Sequence, residues 1–307
     1  MSHGYGPVPK KSDSIKLIHQ AYDLGYTFFD TAEGYGSGAN EELVGEALKP
    51  IRDKVVIATK FGGLTVKDGE LYPISLSPLQ IRAHLKESLK RLRTDYIDLY
   101  YQHRVSKEVS VEEVAGCMGE LMEEGKILGW GMSQATKDEI SRANAVTPVT
   151  AIQSEYSMME RMFEKDVIPT CQEFGIGFVA FSPLAGGFLS GKITKDTNYK
   201  GDDVRRAITR YQKNNILANQ PLLDLINRFA ALKNATPAQI SLAWLLHKKD
   251  FVVPIPGARK LDRLKENFAA SDVEFTADEF NQIEVELAKI DIRGNRTDKD
   301  IIFGHRC

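Results

Sequence analysis

Short apolar runs alternate with longer amphipathic stretches along most of the chain. Runs of about five residues, rich in β-branched and aromatic side chains, read as strands buried on both faces. They lie near positions 28, 57, 98, 129, 152, 179 and 253. Between them apolar residues recur at helical spacing, as in Ile15, Leu17, Ile18 and Ala21. The pattern predicts helices over 13–24, 41–48, 78–92, 111–124, 137–145, 164–174, 221–232, 237–247, 261–269 and 277–289. Ser77-Pro78 and Thr236-Pro237 are cap and first-turn pairs, and Gly25, Gly125 and Gly175 are placed to end helices.

Strands that alternate with helices imply parallel βα units, and repeated units with no second pattern imply one α/β domain over 1–307. A barrel of about 250 residues with insertions and a tail accounts for that length. Residues 1–11, with Gly4, Gly6, Pro7 and Pro9, read as loop, and 186–219 as a long polar insertion. Beyond Ile290 an irregular tail is expected, where Gly294, Asn295 and Thr297 suggest a flexible surface segment.

Composition narrows the class. The 307 residues are 42% hydrophobic and 27% charged, ordinary for a globular protein. A net charge of −2 gives no basic field for nucleic acid. No apolar run approaches the ~20 residues of a membrane helix, and no apolar core follows the first basic residues as in a secretory signal. Cys117, Cys171 and Cys307 lack the spacing of a disulfide framework or zinc site, and the first two read as small apolar helix residues. A reducing, cytoplasmic setting is the expectation.

Three strand patterns carry reactive side chains to their ends. Thr27-Phe-Phe-Asp30 leads into a loop bearing Tyr35, the next pattern ends in Lys60, and the third in His103. Parallel strands of a barrel bring their C-terminal ends to one face, where barrel active sites lie. Asp30, Tyr35, Lys60 and His103 are therefore expected at one mouth. Singly each has a blander reading as turn residue, loop aromatic or surface charge; their joint placement points to chemistry. A tyrosine hydroxyl ordinarily titrates near ~10, too high for an efficient proton donor at neutral pH. A lysine cation within reach favours phenolate, and a carboxylate holds that lysine charged. A neutral histidine beside them can orient a carbonyl oxygen. Such a set suits protonation of an oxyanion as hydride reduces a carbonyl. His19, His84 and His247 fall on helix patterns, where packing roles are expected, and His3 and His305 are terminal. Gly34-Tyr-Gly36-Ser-Gly-Ala39 has the look of a dinucleotide fingerprint, but that reading requires an acidic residue at the end of the next strand, which ends in Lys60.

Phe28-Phe-Asp-Thr-Ala32 with Tyr35, Ala58-Thr-Lys60-Phe-Gly62 and Tyr101-Gln-His103 resemble the catalytic tetrad motifs of the aldo-keto reductase superfamily. Similarity continues through Gln153-Ser-Glu-Tyr-Ser157, Phe181-Ser-Pro-Leu184 and Pro254-Ile-Pro-Gly257, nearly to residue 290. The resemblance implies a (β/α)8 TIM-barrel type of fold, an oxidoreductase, NADPH as cofactor and an aldehyde or ketone as small-molecule substrate. It also implies an N-terminal hairpin and a first barrel strand, for which this chain has no counterpart. Only seven barrel strands are therefore expected, with two exposed sheet edges beside Asp30 that invite association; the oligomeric state stays open.

Carried over residue by residue, Ser133 and Gln153 match groups that hold the nicotinamide amide, with Gln134 where many relatives carry asparagine. Phe181 matches an aromatic that stacks on the ring, often tyrosine. Ser182, Leu184, Gly186 and Gly191 belong to a glycine-rich stretch suited to pyrophosphate, and Lys192 adds charge. After the last strand come Gly257, then Arg259 and Arg263, matched to the 2′-phosphate, and Glu266 and Asn267, matched to adenine. These favour NADPH over NADH. Without the resemblance, the basic cluster reads as a solvated helix face and the glycines as a turn. Tyr156, Met158, Met159 and Met162 suit either pocket lining or core packing. Two rival functions stand beside the reductase: a cofactor-binding regulatory subunit without turnover, and an inactive homologue with an open barrel.

Overall fold

Nine strands are formed in the computed structural model, which describes residues 5–67, 70–201 and 203–295. They are β1 Phe28–Asp30, β2 Val56–Phe61, β3 Leu64–Lys67, β4 Glu70–Pro73, β5 Leu99–Gln102, β6 Trp130–Ser133, β7 Ala151–Glu155, β8 Gly177–Phe181 and β9 Val252–Pro254. Seven build one parallel sheet in the order β1-β2-β5-β6-β7-β8-β9, each next to its neighbour in the chain fold. This is the curled, helix-covered wall of a (β/α)8-type barrel with seven strands among the described residues. β3 and β4 form a separate antiparallel hairpin that the strand pattern did not anticipate.

Local chemistry fixes where the helices begin. Ser77, Ser110, Thr136, Thr236 and Thr276 each close a capping box, so two otherwise orphaned N–H groups are satisfied at the start of each helix. Helix Lys11–Asp23 starts two residues before the expected 13–24, and Lys10 makes no side-chain cap bond. Helix Val167–Phe174 starts later than expected, because a separate short turn, Met162–Glu164, precedes it. The polar insertion is folded into short turns and a helix, Lys213–Ala218. The start of the tail is pinned rather than free. Asn219 exchanges hydrogen bonds with the backbone of Arg293, at 2.8 and 2.9 Å, and Thr209 does so with Asn295. Thr297, Cys307, His305 and His3 lie outside the described residues.

The two-residue period of a strand sorts the barrel interior into layers. Phe28, Ala58, Leu99, Ala151 and Val179 belong to one apolar cluster, closed by Tyr101 and Ile255. Two residues further along their strands stand Asp30, Lys60, Tyr101, Gln153 and Phe181, the layer nearest the C-terminal mouth. The outward faces join the main core with the helices. β1 and β9 end the sheet order and are not paired with each other. The helix layer spans that break: Leu17 and Ala21 pack on Leu264, and the Tyr26 hydroxyl donates to the Leu264 carbonyl at 2.9 Å.

Candidate active site

Lys60 is the hub of the mouth layer. Its side chain is fully buried, and Nζ donates to Asp30 Oδ1 and, at 2.7 Å, to the carbonyl of Thr31. Burial opposes the ammonium, but the charges of Asp30 and Tyr35 and hydrogen bonds to both outweigh it, so Lys60 is held above its ordinary value. The second oxygen of Asp30 accepts from Gln153 Nε2 at 2.8 Å, so three strands of the layer are tied together by polar bonds. Tyr35 stands on the loop after β1, with Lys60 Nζ 5.3 Å from its ring centre. His103 meets that ring edge to face, with centroids 6.0 Å apart. Its own backbone N–H donates to Phe61 at 2.9 Å, extending the β2–β5 ladder and fixing where the imidazole leaves the sheet. The four sequence-predicted residues therefore converge.

The tyrosine loop is fastened on both sides. The Glu33 N–H donates to the Lys60 carbonyl at 3.1 Å, and the Glu33 carboxylate accepts from the Gly62 N–H at 2.8 Å. His84, on helix Pro78–Leu92, lies against the same carboxylate at 2.8 Å. On the other side, Thr31 Oγ1 donates to Asn40 Oδ1 at 2.7 Å, and the Asn40 N–H donates to the Tyr35 carbonyl. Ser37, Gln134, Ser182 and Ala185 all hold left-handed backbone around the mouth. Such strain in non-glycine residues persists where surrounding structure enforces it, commonly at functional sites.

Two cavities bear on the site, and the larger continues from this layer. One, of about 610 Å³, is lined by Asp30, Tyr35 and His103 together with Ser133, Gln153, Phe181, Ser182, Leu184, Gly186, Gly257 and Arg259. Lys60 lies below its floor. A second, of about 510 Å³, is lined by Gly191, Lys192, Arg263 and Glu266. The tight turn Ala185–Ser190 contributes residues to both. Gly186 has φ +58°, and a Cβ there would lie 2.2 Å from the Tyr211 hydroxyl, so the turn admits no side chain without displacing that ring.

Gln134 and Asn267 line neither cavity. The Gln134 N–H donates to the Gln153 carbonyl at 3.0 Å, and its side-chain Oε1 is buried without a partner among the described residues. Arg263 pairs with Glu266 on its own helix. Arg259 Nη1 donates to the carbonyls of Tyr5 and Pro7, at 3.0 and 3.1 Å, and its Nη2 is buried without a partner among the described residues. Sequence reasoning missed Tyr5, Asn40, Arg104 and Arg205 as mouth residues. Arg104 follows His103 beyond the last residue of β5, where the strand period no longer fixes a direction; Tyr5 and Arg205 lie in segments with no strand or helix pattern. Tyr156, Met158 and Met159 belong to the main core, not to the mouth. His19 bonds to Ala47, and His247 packs on Phe275 and Phe280.

A parallel barrel wall whose mouth holds a buried lysine–aspartate pair, a tyrosine and a histidine defines a class of oxidoreductase. The chain belongs to the aldo/keto reductase family, whose model matches residues 2–286. It is 40% identical over 297 residues to a probable aldo-keto reductase 1 of Glycine max, covering 96% of this chain and 85% of that protein. Among solved structures, a glycerol dehydrogenase from Gluconobacter oxydans superposes with a TM-score of 0.84 at 27% identity, over 94% of this chain and 90% of that one. An aldo-keto reductase from Klebsiella pneumoniae in complex with NADPH superposes with a TM-score of 0.72 at 27% identity, over 94% and 89%. No helix among the described residues is long and apolar enough to cross a membrane.

Proposed function

We propose that the chain is an NADPH-dependent reductase of aldehydes or ketones. The observation that carries this reading is the buried Lys60–Asp30 pair, with Tyr35 hydrogen-bonded to the ammonium and His103 beside the ring, opening into a cavity sized for a small carbonyl compound. NADPH, when bound, supplies the hydride. Tyr35 gives its phenolic proton to the substrate oxygen as negative charge develops there. Lys60 stabilises the phenolate left behind, and Asp30 keeps Lys60 a cation. His103 orients the carbonyl oxygen toward the tyrosine. In the reverse direction Tyr35 takes the proton from an alcohol.

Several features of the chain fit the dinucleotide. Phe181 offers an aromatic face at the mouth, with the polar groups of Ser133 and Gln153 across the same cavity. The Ala185–Ser190 turn contributes to that cavity and to the second, and Arg259 Nη2 has no partner among the described residues. Lys192 and Arg263 bring two cations to the second cavity, suited to a 2′-phosphate, with Glu266 beside them for the adenosine end. The solved complex of the Klebsiella relative with NADPH supports the same cofactor. The test is turnover of a panel of simple aldehydes with NADPH or NADH. Aldehyde-dependent loss of NADPH, slower with NADH, is expected. NADPH binding, seen by fluorescence quenching, with no turnover across the panel would instead indicate a regulatory cofactor-binding subunit.

A further inference from the structure

We propose that residues 5–7 form a clasp over the bound dinucleotide, in which the backbone carbonyls of Tyr5 and Pro7 hold Arg259 in place for the diphosphate. The cofactor then leaves only when this segment lifts. The inference rests on the reductase reading and deepens it.

Arg259 marks the place. The resemblance matches it to the 2′-phosphate, but it lines the larger cavity, whereas Lys192 and Arg263 line the other. Its neighbours lead to the glycine turn. Arg205 Nη1 donates to the Gly186 carbonyl in that turn at 3.0 Å, and its guanidinium carbon lies 5.2 Å from the centre of the Tyr5 ring. Arg259 Nη1 in turn donates to the Tyr5 carbonyl at 3.0 Å and to the Pro7 carbonyl at 3.1 Å. One short segment therefore ties the loop after β9 to the turn suited to a diphosphate. Gly6 has φ +84°, which side chains rarely adopt, and both of its neighbours offer their carbonyls to the same nitrogen. A Cβ on Gly6 would lie 3.4 Å from the Lys200 carbonyl, so the insertion backs the segment from the other side.

The clasp leaves the charge of Arg259 unmet. Two neutral carbonyls satisfy Nη1, while Nη2 is buried without a partner among the described residues. Burial pushes the Asp203 carboxyl up, but Arg205, with a contribution from the charge of Arg259, holds it below its ordinary value. The Asp203 oxygens are bonded to Arg205 itself, at 2.9 and 2.6 Å. Two cations thus share one carboxylate. An anion adds to this arrangement instead of displacing it, because it takes Nη2 through a charge-assisted bond while Nη1 stays on the segment. Nη2 is shielded from solvent in the closed position, so the segment must lift to admit the anion and settle on it again.

The experiment measures dissociation constants and release rates of NADPH and NADH by fluorescence, for the wild type, Gly6→Val, Arg259→Met and the double variant. Gly6 lines neither cavity, so Gly6→Val displaces the segment without altering a lining side chain. It should weaken both cofactors alike by about tenfold, chiefly through faster release. Gly6→Ala should give a smaller loss of the same kind. Arg259→Met should weaken both by about tenfold to a hundredfold. The double variant should be no weaker than Arg259→Met alone, since both changes break one contact. Unchanged or tighter NADPH binding in Gly6→Val, losses that add in the double variant, or a loss confined to NADPH would each overturn the proposal. If the wild type binds neither dinucleotide, the reductase reading has failed, and inorganic pyrophosphate, followed by calorimetry, decides the clasp. Pyrophosphate binding that both single variants lose would support it. No binding by the wild type, or binding that survives either variant, would overturn it.

Discussion

Lys60 is a charge that the fold must hold in place. Its pKa is raised, so the stability it contributes is fully present below the ordinary lysine value of about 10.4 and is lost only as pH rises through the higher folded value. Removing its partner strands the ammonium. Asp30→Ala should cost about 3–5 kcal/mol at neutral pH in denaturant unfolding. That deficit should shrink in strong alkali, where the wild type also loses the pair. An unchanged unfolding midpoint at neutral pH would count against the pair as the hub of the site. The tetrad residues were legible because each follows a strand pattern, and strand ends share a face. Gln153 was legible as a mouth residue, but its bond to Asp30 was not, since nothing in local sequence relates positions so far apart. Arg104 escaped because the strand period stops at β5, and beyond it the direction of a side chain depends on contacts such as the Ser133 hydroxyl.

Among the elements, the loop bearing Tyr35 matters most, and Glu33 is its tether to the end of β2. Glu33→Ala should lower kcat about tenfold or more while NADPH affinity stays within a few-fold, because a small misplacement of reacting groups costs rate rather than cofactor binding. Glu33→Gln should retain most activity, since the amide oxygen still accepts from Gly62. Equal kcat in the Ala variant and the wild type would remove Glu33 from the positioning of Tyr35. Nothing in the tyrosine loop announces this tether, because its partners stand on β2 and on the helix bearing His84. The β3–β4 hairpin is a different case. Asp68-Gly69 between alternating apolar positions is a hairpin signal, but it falls between the strand run near 57 and the helix pattern over 78–92, in a stretch to which the alternation of strands and helices assigned no element. The helices were readable almost to the residue wherever a capping box opened them, as at Ser77 and Thr236, and less so at Lys11, which has no cap.

At the scale of the molecule, the barrel wall stops at β1 and β9, and the break is spanned by helices rather than by strands. Leu264, on helix Leu261–Phe268, joins the two sides and is only 4% exposed. Arg263 and Glu266 ride on the same helix. Leu264→Ala should therefore destabilise by about 2–5 kcal/mol and also weaken NADPH binding. Leu121→Ala, an equally buried truncation on the opposite side of the barrel, should cost comparable stability and leave NADPH affinity nearly unchanged. Equal effects on NADPH from the two variants would contradict a role for the helix contact in shaping the cofactor end. The strand count was legible because each parallel strand leaves its own apolar run. How the break is covered was not, because the contact between helices 11–23 and 261–268 is made by residues from opposite ends of the sequence.

The central claim is that the Tyr35 hydroxyl delivers the proton to the substrate oxygen, and Tyr35→Phe tests it most directly. Single-turnover and steady-state rates with a simple aldehyde, measured beside NADPH affinity, separate chemistry from binding. A fall in kcat of about 10²–10⁴-fold with NADPH affinity held within a few-fold is expected. Wild-type kcat in that variant would contradict the account.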